Sequence, residues 1–305
     1  MNKSYIVWLI GFNGMLAKEV ARELQKNSIS FVGTDREVDI TNIAALEKFA
    51  TDTKKNKDVK IKWIINCSAY TAVEKAEEEP EFAKLLNETG PKNIATLAKK
   101  IGAKLIHIST DYVFGGIGNT PFTEDDPLNP MGVYGKTKAD GEKVIIETLP
   151  NNFYILRTAW LYGFEGKNFV YTMLKLMNNK PEIKVVADQI GTPTFAGDLA
   201  FCICKFIQDD NNLIPSGIYH CTNLGIISWF DFATEIYKMG KKHNLITNEC
   251  KVLPCTTEEY GAKVQRPAYS VLNKDKIQKT LNITLPEWQE SLEYFINSPL
   301  FRKDI

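Results

Sequence analysis

Short β-branched runs alternate with amphipathic stretches through the first half of the chain, and this alternation limits the fold more than any single motif does. It is the pattern of successive βαβ units and a parallel sheet. Strands are expected at Tyr5–Ile10, Ile29–Gly33, Ile61–Asn66, Lys104–Ser109 and Tyr154–Arg157, with a further one at Tyr219–Thr222. Between the first two, Leu16, Val20 and Leu24 recur at helical spacing and mark a helix that lays an apolar stripe on the sheet. Further helices are predicted over 43–51, 80–86, 92–100, 136–148, 169–178 and 198–208, and Ser228 can cap another running toward Met239.

At 305 residues the chain is longer than one core usually serves, which favours a large α/β domain with a smaller companion. Lysine plus arginine and aspartate plus glutamate both total 37, so nothing electrostatic favours nucleic acid or an anionic membrane. Small molecules are the expected partners. Six scattered cysteines lack CxxC spacing, and three histidines complete no zinc pattern; the thiols read as reduced and mostly buried. The apolar start 5–10 is too short for a signal h-region or a membrane span, so a cytoplasmic location is expected.

Two motifs carry chemistry. Gly11-Phe12-Asn13-Gly14-Met15-Leu16-Ala17 leaves the first strand and opens the first helix, the setting a dinucleotide-binding turn requires, although a plain glycine turn has the same composition. Asp35 lies at the end of the second strand, where a carboxylate can bind a ribose, and Arg36 could instead pair with a 2′-phosphate. NADH and NADPH both stay open on these residues. Tyr134 and Lys138 form a YxxxK pair on one helical face, where an ammonium should pull the phenol below its ordinary pKa and make it a proton donor or acceptor.

The strand 104–109 runs into Ser109, Thr110 and Tyr112, at the edge where open α/β sheets bind ligands; Thr110 can donate a hydrogen bond to a carbonyl oxygen. Thr71 follows another strand end, and His107 reads as a satisfied sheet histidine rather than a base.

Beyond these motifs, NCSAYTAVEKAE (66–77), STDYVFGG (109–116), NPMGVYGKTKADGE (129–142), RTAWLYG (157–163), DQIGTPT (188–194), RPAYSVL (266–272) and LPEWQESL (285–292) follow in order along nearly the whole chain. The chain thereby resembles the extended short-chain dehydrogenase/reductase family, and within it the dTDP-4-dehydrorhamnose reductases. The resemblance implies a Rossmann-type doubly wound parallel sheet with a smaller C-terminal α/β substrate lobe. The first unit is expected to be 1–165 plus about 194–225, and the second about 166–193 plus 226–305.

It implies catalysis by Thr110, Tyr134 and Lys138, and NADPH or NADH bound by Gly11, Asn13, Gly14, Met15, Leu16, Asp35, Arg36, Asp39, Ala69, Tyr70 and Thr71 together with Tyr134 and Lys138. A dTDP-sugar would lie against Thr71, Thr110, Tyr112, Tyr134, Trp160, Asn168, Gln189 and Arg266, with Asp188 and Thr192 nearby. Solvated turn roles compete for several of the nucleotide-side residues, and Trp160 has a core alternative. The implied reaction is NAD(P)H-dependent reduction of a sugar C4 ketone.

The family also includes magnesium-associated dimers; no metal ligands can be assigned here, and monomer and homodimer both stay open. Gly115 and Ala139-Asp140 depart from the family pattern away from the proposed catalytic atoms. The alternatives are another nucleotide-sugar reductase, an epimerase, or a non-catalytic regulatory NADP-binding protein. A dehydratase is disfavoured because Tyr112, not a second carboxylate, follows Asp111.

Overall fold

The computed structural model describes residues 5–57, 59–209 and 211–302. In chain order the elements are β1 (Tyr5–Ile10), α1 (Met15–Lys26), β2 (Phe31–Thr34), α2 (Ile43–Lys57), β3 (Lys60–Asn66), α3 (Val73–Glu78), α4 (Pro80–Lys84), α5 (Gly90–Ile101), β4 (Lys104–Thr110), α6 (Val133–Thr148), β5 (Phe153–Thr158) and β6 (Leu161–Tyr162). They continue with α7 (Phe169–Asn179), β7 (Glu182–Val186), β8 (Ile190–Gly191), β9 (Thr194–Phe195), α8 (Ala196–Ile207), β10 (Gly217–His220), β11 (Ile227–Ser228), α9 (Trp229–Lys242), β12 (Lys251–Cys255), α10 (Thr257–Tyr260), α11 (Asp275–Leu281) and α12 (Trp288–Asn297).

Six strands make one parallel sheet in the order β10-β5-β4-β3-β1-β2, the doubly wound arrangement expected from the alternation. Along β1, Ile6, Trp8 and Ile10 enter a core with Leu46, Ile94 and Ile145, while Val7 and Leu9 enter the opposite core with Val20, Leu24, Leu199 and Phe206. Successive side chains of a strand point to opposite faces, so a run of six apolar residues covers both helical layers at once. A third core gathers Tyr162, Phe164, Leu174, Phe232, Trp288 and Phe295 under α7, α9 and α12.

The winding reverses beside β1, whose neighbours are β2 and β3, and such a switch point leaves a crevice at the carboxyl edge. Register aligns the strand exits there: Ile10 pairs with Asn66, Asn66 with His107, and Thr110 with Thr158. Asp35 lies one residue beyond β2, which ends at Thr34. All six cysteines are free; five are buried and Cys67 is half-buried.

Candidate active site

At the β1 exit, Gly11 has φ +78°, and a Cβ there would come within 2.8 Å of the Ser68 backbone nitrogen. The turn lies against the chain leaving β3 with no room for a side chain. Gly14 caps α1 without a side-chain hydrogen bond, which leaves first-turn N–H groups available to an anion. Asp35 Oδ2 accepts the Asn13 backbone N–H at 2.9 Å, so the turn and the β2 exit are tied together. A passage shaped by main chain, a free helix N-terminus and an adjoining carboxylate fits a dinucleotide. Met15 packs beside Gly163, Leu16 is buried in the sheet core, and Arg36 is exposed. Asp39 instead caps its own turn by accepting from the Thr41 N–H and hydroxyl.

Ala69, Tyr70 and Thr71 follow β3. Buried Asn87, in a short π-helical stretch 85–89, accepts from Tyr70 N and donates to Tyr70 O and to Thr137 Oγ1, clamping this segment to α6. Thr71 is exposed.

Tyr134 lies in the first turn of α6, whose glycine cap, Gly132, offers no side chain. Glu77 of α3 supplies the missing acceptor, taking the Val133 N–H at 2.8 Å. Glu142, two turns along α6, holds Arg157 of β5 through two hydrogen bonds of 2.9 and 2.7 Å, both side chains being 1% exposed. Breaking such a buried pair typically costs about 3–5 kcal/mol, so α6 is fixed firmly at this level.

Tyr134 and Tyr112 meet edge to face with centroids 5.4 Å apart. They line a pocket with Val73, Phe114, Met131 and Val264. The expected lowering of the phenol pKa does not occur. Burial pushes Tyr134 above the ordinary tyrosine range, Asp111 and Tyr112 add to the rise, and a hydrogen bond with Thr110 opposes it. Lys138 spends its own contacts elsewhere: Nζ donates to Ile108 O at 2.6 Å and lies 3.2 Å from His107 Nε2. Burial brings the lysine down to about 8.

Thr110 is held by its neighbours: its hydroxyl donates to Asp111 Oδ1 at 2.9 Å and accepts the Tyr112 N–H.

Trp160 adopts φ +47°, an outlier for an aromatic residue, and stacks on Trp229 with centroids 3.6 Å apart. Arg266 Nη2 lies 3.5 Å from Glu74, while its Nε is buried without a partner. Gln189 donates to Thr257, whose N–H and hydroxyl bind Asp188; Thr192 donates to Gly225 O. Asn168 caps α7 by accepting the Tyr171 N–H on Oδ1 and donates from Nδ2 to Gly163 O.

Sequence reasoning missed Asn87, Glu77, Asp111 and the Glu142–Arg157 pair. The one available cue for Asn87 was Gly90-Pro91, which interrupts a long helical pattern and signals irregular backbone upstream. Among the described residues no group of three or more His, Cys, Asp or Glu could hold a metal ion, and no helix is long and apolar enough to cross a membrane.

The chain is 44% identical over 233 residues to the spore coat polysaccharide biosynthesis protein SpsK of Bacillus subtilis, covering 76% of this chain and 78% of that protein. It superposes with a TM-score of 0.86 on a dTDP-4-dehydrorhamnose reductase structure from Clostridium acetobutylicum, 42% identical over 96% of this chain and 98% of the other. A Bacillus anthracis dTDP-4-dehydrorhamnose reductase, solved in complex with NADP, gives the same TM-score at 37% identity, covering 96% and 99%. The family described as RmlD substrate binding domain matches residues 5–300, from the first residue of β1 to beyond α12. With the sheet, the glycine turn and the Thr110, Tyr134, Lys138 grouping all inside that match, this chain belongs to the RmlD substrate binding domain family.

Proposed function

We propose that this protein reduces the C4 ketone of dTDP-4-dehydro-β-L-rhamnose to dTDP-L-rhamnose with NADPH, in the cytoplasm. The observation that carries the reading is the protonated, half-buried phenol of Tyr134 facing the aromatic pocket at the carboxyl edge of the sheet. The bound reduced cofactor supplies the hydride that the ketone carbon receives. Tyr134 holds a proton on Oη and gives it to the ketone oxygen as negative charge develops there. Thr110, oriented by Asp111, is hydrogen-bonded to the phenol and fixes its direction. Lys138 reaches the floor of the site from the next turn of α6 and would meet the ribose next to the nicotinamide.

Gly11, Asn13, Gly14, Met15 and the backbone of Leu16 would border the dinucleotide, with Asp35 and Arg36 at its adenosine end and 69–71 alongside. Tyr112, Trp160 and Thr71 would surround the sugar, and Arg266 would take the diphosphate. Residues 1–165 with about 194–225 serve as the cofactor unit, and about 166–193 with 226–305 as the substrate unit.

The purified protein should oxidise NADPH when given dTDP-4-dehydro-L-rhamnose and form dTDP-L-rhamnose, with NADH run in parallel. Tyr134→Phe should lower kcat by roughly 10²–10⁴-fold, the usual worth of a positioned proton donor, with little change in cofactor affinity. No oxidation with either cofactor would redirect the assignment to another ketosugar or to a regulatory protein.

A further inference from the structure

Behind Lys138 lies a buried hydrogen-bond chain that the reaction as described does not use. Asn66, at the end of β3, accepts the Ser68 backbone N–H at 3.0 Å and the Ser68 hydroxyl at 2.6 Å, both on Oδ1. A backbone N–H can only donate, so the orientation of the Asn66 amide is fixed and its Nδ2 faces His107 Nδ1 at 3.0 Å. His107 Nδ1 must therefore accept. A neutral imidazole then carries its proton on Nε2, the atom 3.2 Å from Lys138 Nζ. Two N–H groups cannot face one another across that contact. The arrangement is satisfied when the lysine offers a lone pair to Nε2–H and donates one of its own protons to Ile108 O.

We infer that Asn66 and His107 act as positioning residues that set the charge of Lys138, with the polarity of the chain from Ser68 through Asn66 and His107 shifting the lysine toward the uncharged amine. To carry an ammonium instead, Lys138 would need His107 to change tautomer and Asn66 to give up both bonds to Ser68. His107 is fully buried, and burial keeps it neutral. The other ionisable groups near Nζ do not replace this control. Cys67, beyond β3, is held as a thiol by burial, Glu142 is already bound to Arg157, and Tyr134, one turn back, keeps its proton. The inference deepens the role given to Lys138 above, yet it concerns the resting protein, and its test needs neither substrate nor cofactor.

The test is ¹⁵N NMR of the imidazole nitrogens in the full-length protein above about pH 8, where Lys138 has released its proton. The chain has three histidines, His107, His220 and His243, and the His107 signals are those lost in His107→Gln. The expected result is a neutral ring protonated on Nε2, with Nδ1 bare. In Asn66→Asp, where a carboxylate oxygen faces Nδ1, the proton should move to Nδ1. The Lys138 ε-carbon resonance, identified by its loss in Lys138→Met, should then titrate at higher pH than in the native protein. A native ring protonated on Nδ1, or on both nitrogens, would overturn the inference whether or not Asn66→Asp folds. A tautomer that does not move in a folded Asn66→Asp would overturn it as well.

Discussion

The Thr110 hydroxyl donates to Asp111 Oδ1 at 2.9 Å, so the threonine beside the phenol of Tyr134 is oriented by a buried carboxylate. This arrangement keeps a carboxylate in the core. Burial pushes Asp111 up to about 6, against hydrogen bonds from Thr110 and Ser270 that pull it down.

Asp111 therefore weakens the fold at neutral pH. Its folded pKa lies above its unfolded one, so its favourable contribution is complete below the ordinary aspartate value of 3.8 and is lost as pH rises through about 6. Asp111→Asn should be more stable than the native protein above pH 7, by at most about 3 kcal/mol from a shift of about two units, and the gap should close near pH 4. Urea midpoints at the two pH values measure this. A gap that ignores pH would mean the carboxyl is not strained by burial.

Lys138 carries the opposite sign. The folded lysine releases its proton near 8 and the unfolded one near 10.5, so between these values the unfolded chain binds more protons and stability rises with pH. Relative to Lys138→Met, the native protein should gain up to about 3 kcal/mol across that window. Buried tyrosines and cysteines that titrate the other way are shared by both proteins and cancel in the difference, which parallel unfolding curves at pH 8 and 10.5 provide.

Asn87→Ala should destabilise the protein by about 2–4 kcal/mol, since it strips three hydrogen bonds and leaves the Tyr70 N–H without an acceptor. Asn87→Asp, which retains the acceptor for Tyr70 N, should fall between the two in denaturant midpoint. Equal midpoints for Asn87→Ala and the native protein would show that the π-helical clamp contributes nothing.

At the adenosine end, Arg36 is exposed while Asp35 is already engaged with Asn13. If the arginine reads a 2′-phosphate, Arg36→Ala should weaken NADPH binding roughly 10-fold or more, the worth of one charge-assisted hydrogen bond, and leave NADH almost unchanged. Titration calorimetry with both cofactors separates this from a general loss of affinity.

The sheet was legible because its strands carry apolar β-branched runs and its first helix has a clean 3.6-residue stripe; β1, β3 and β4 fall within a residue of expectation. Helix α6 starts at Val133, three residues earlier than predicted, because Glu77 supplies a cap from 56 residues away. No local rule contains that contact. The YxxxK spacing placed Tyr134 and Lys138 correctly on one helix but misjudged their electrostatics: the phenol responds to burial, and the lysine answers to His107 and Ile108 on a neighbouring strand. The capping of α7 by Asn168 was not legible either, since a capping asparagine and a ligand-binding one look alike until the helix is seen.

Two glycines determine how deeply α6 sits. A Cβ at Gly135 would lie 2.2 Å from the Tyr112 carbonyl oxygen, and one at Gly141 would lie 2.1 Å from that of Asn87. Here main chain rests on main chain, and a single methyl at either point would lift Tyr134 and Lys138 off the sheet together. The exposed face of the same helix, with Lys136, Lys143 and Glu147, takes no part in that seating. Its charges can drift over evolutionary time without changing the distance between phenol and sheet, so relatives can vary in solubility and surface potential while inheriting one chemical geometry.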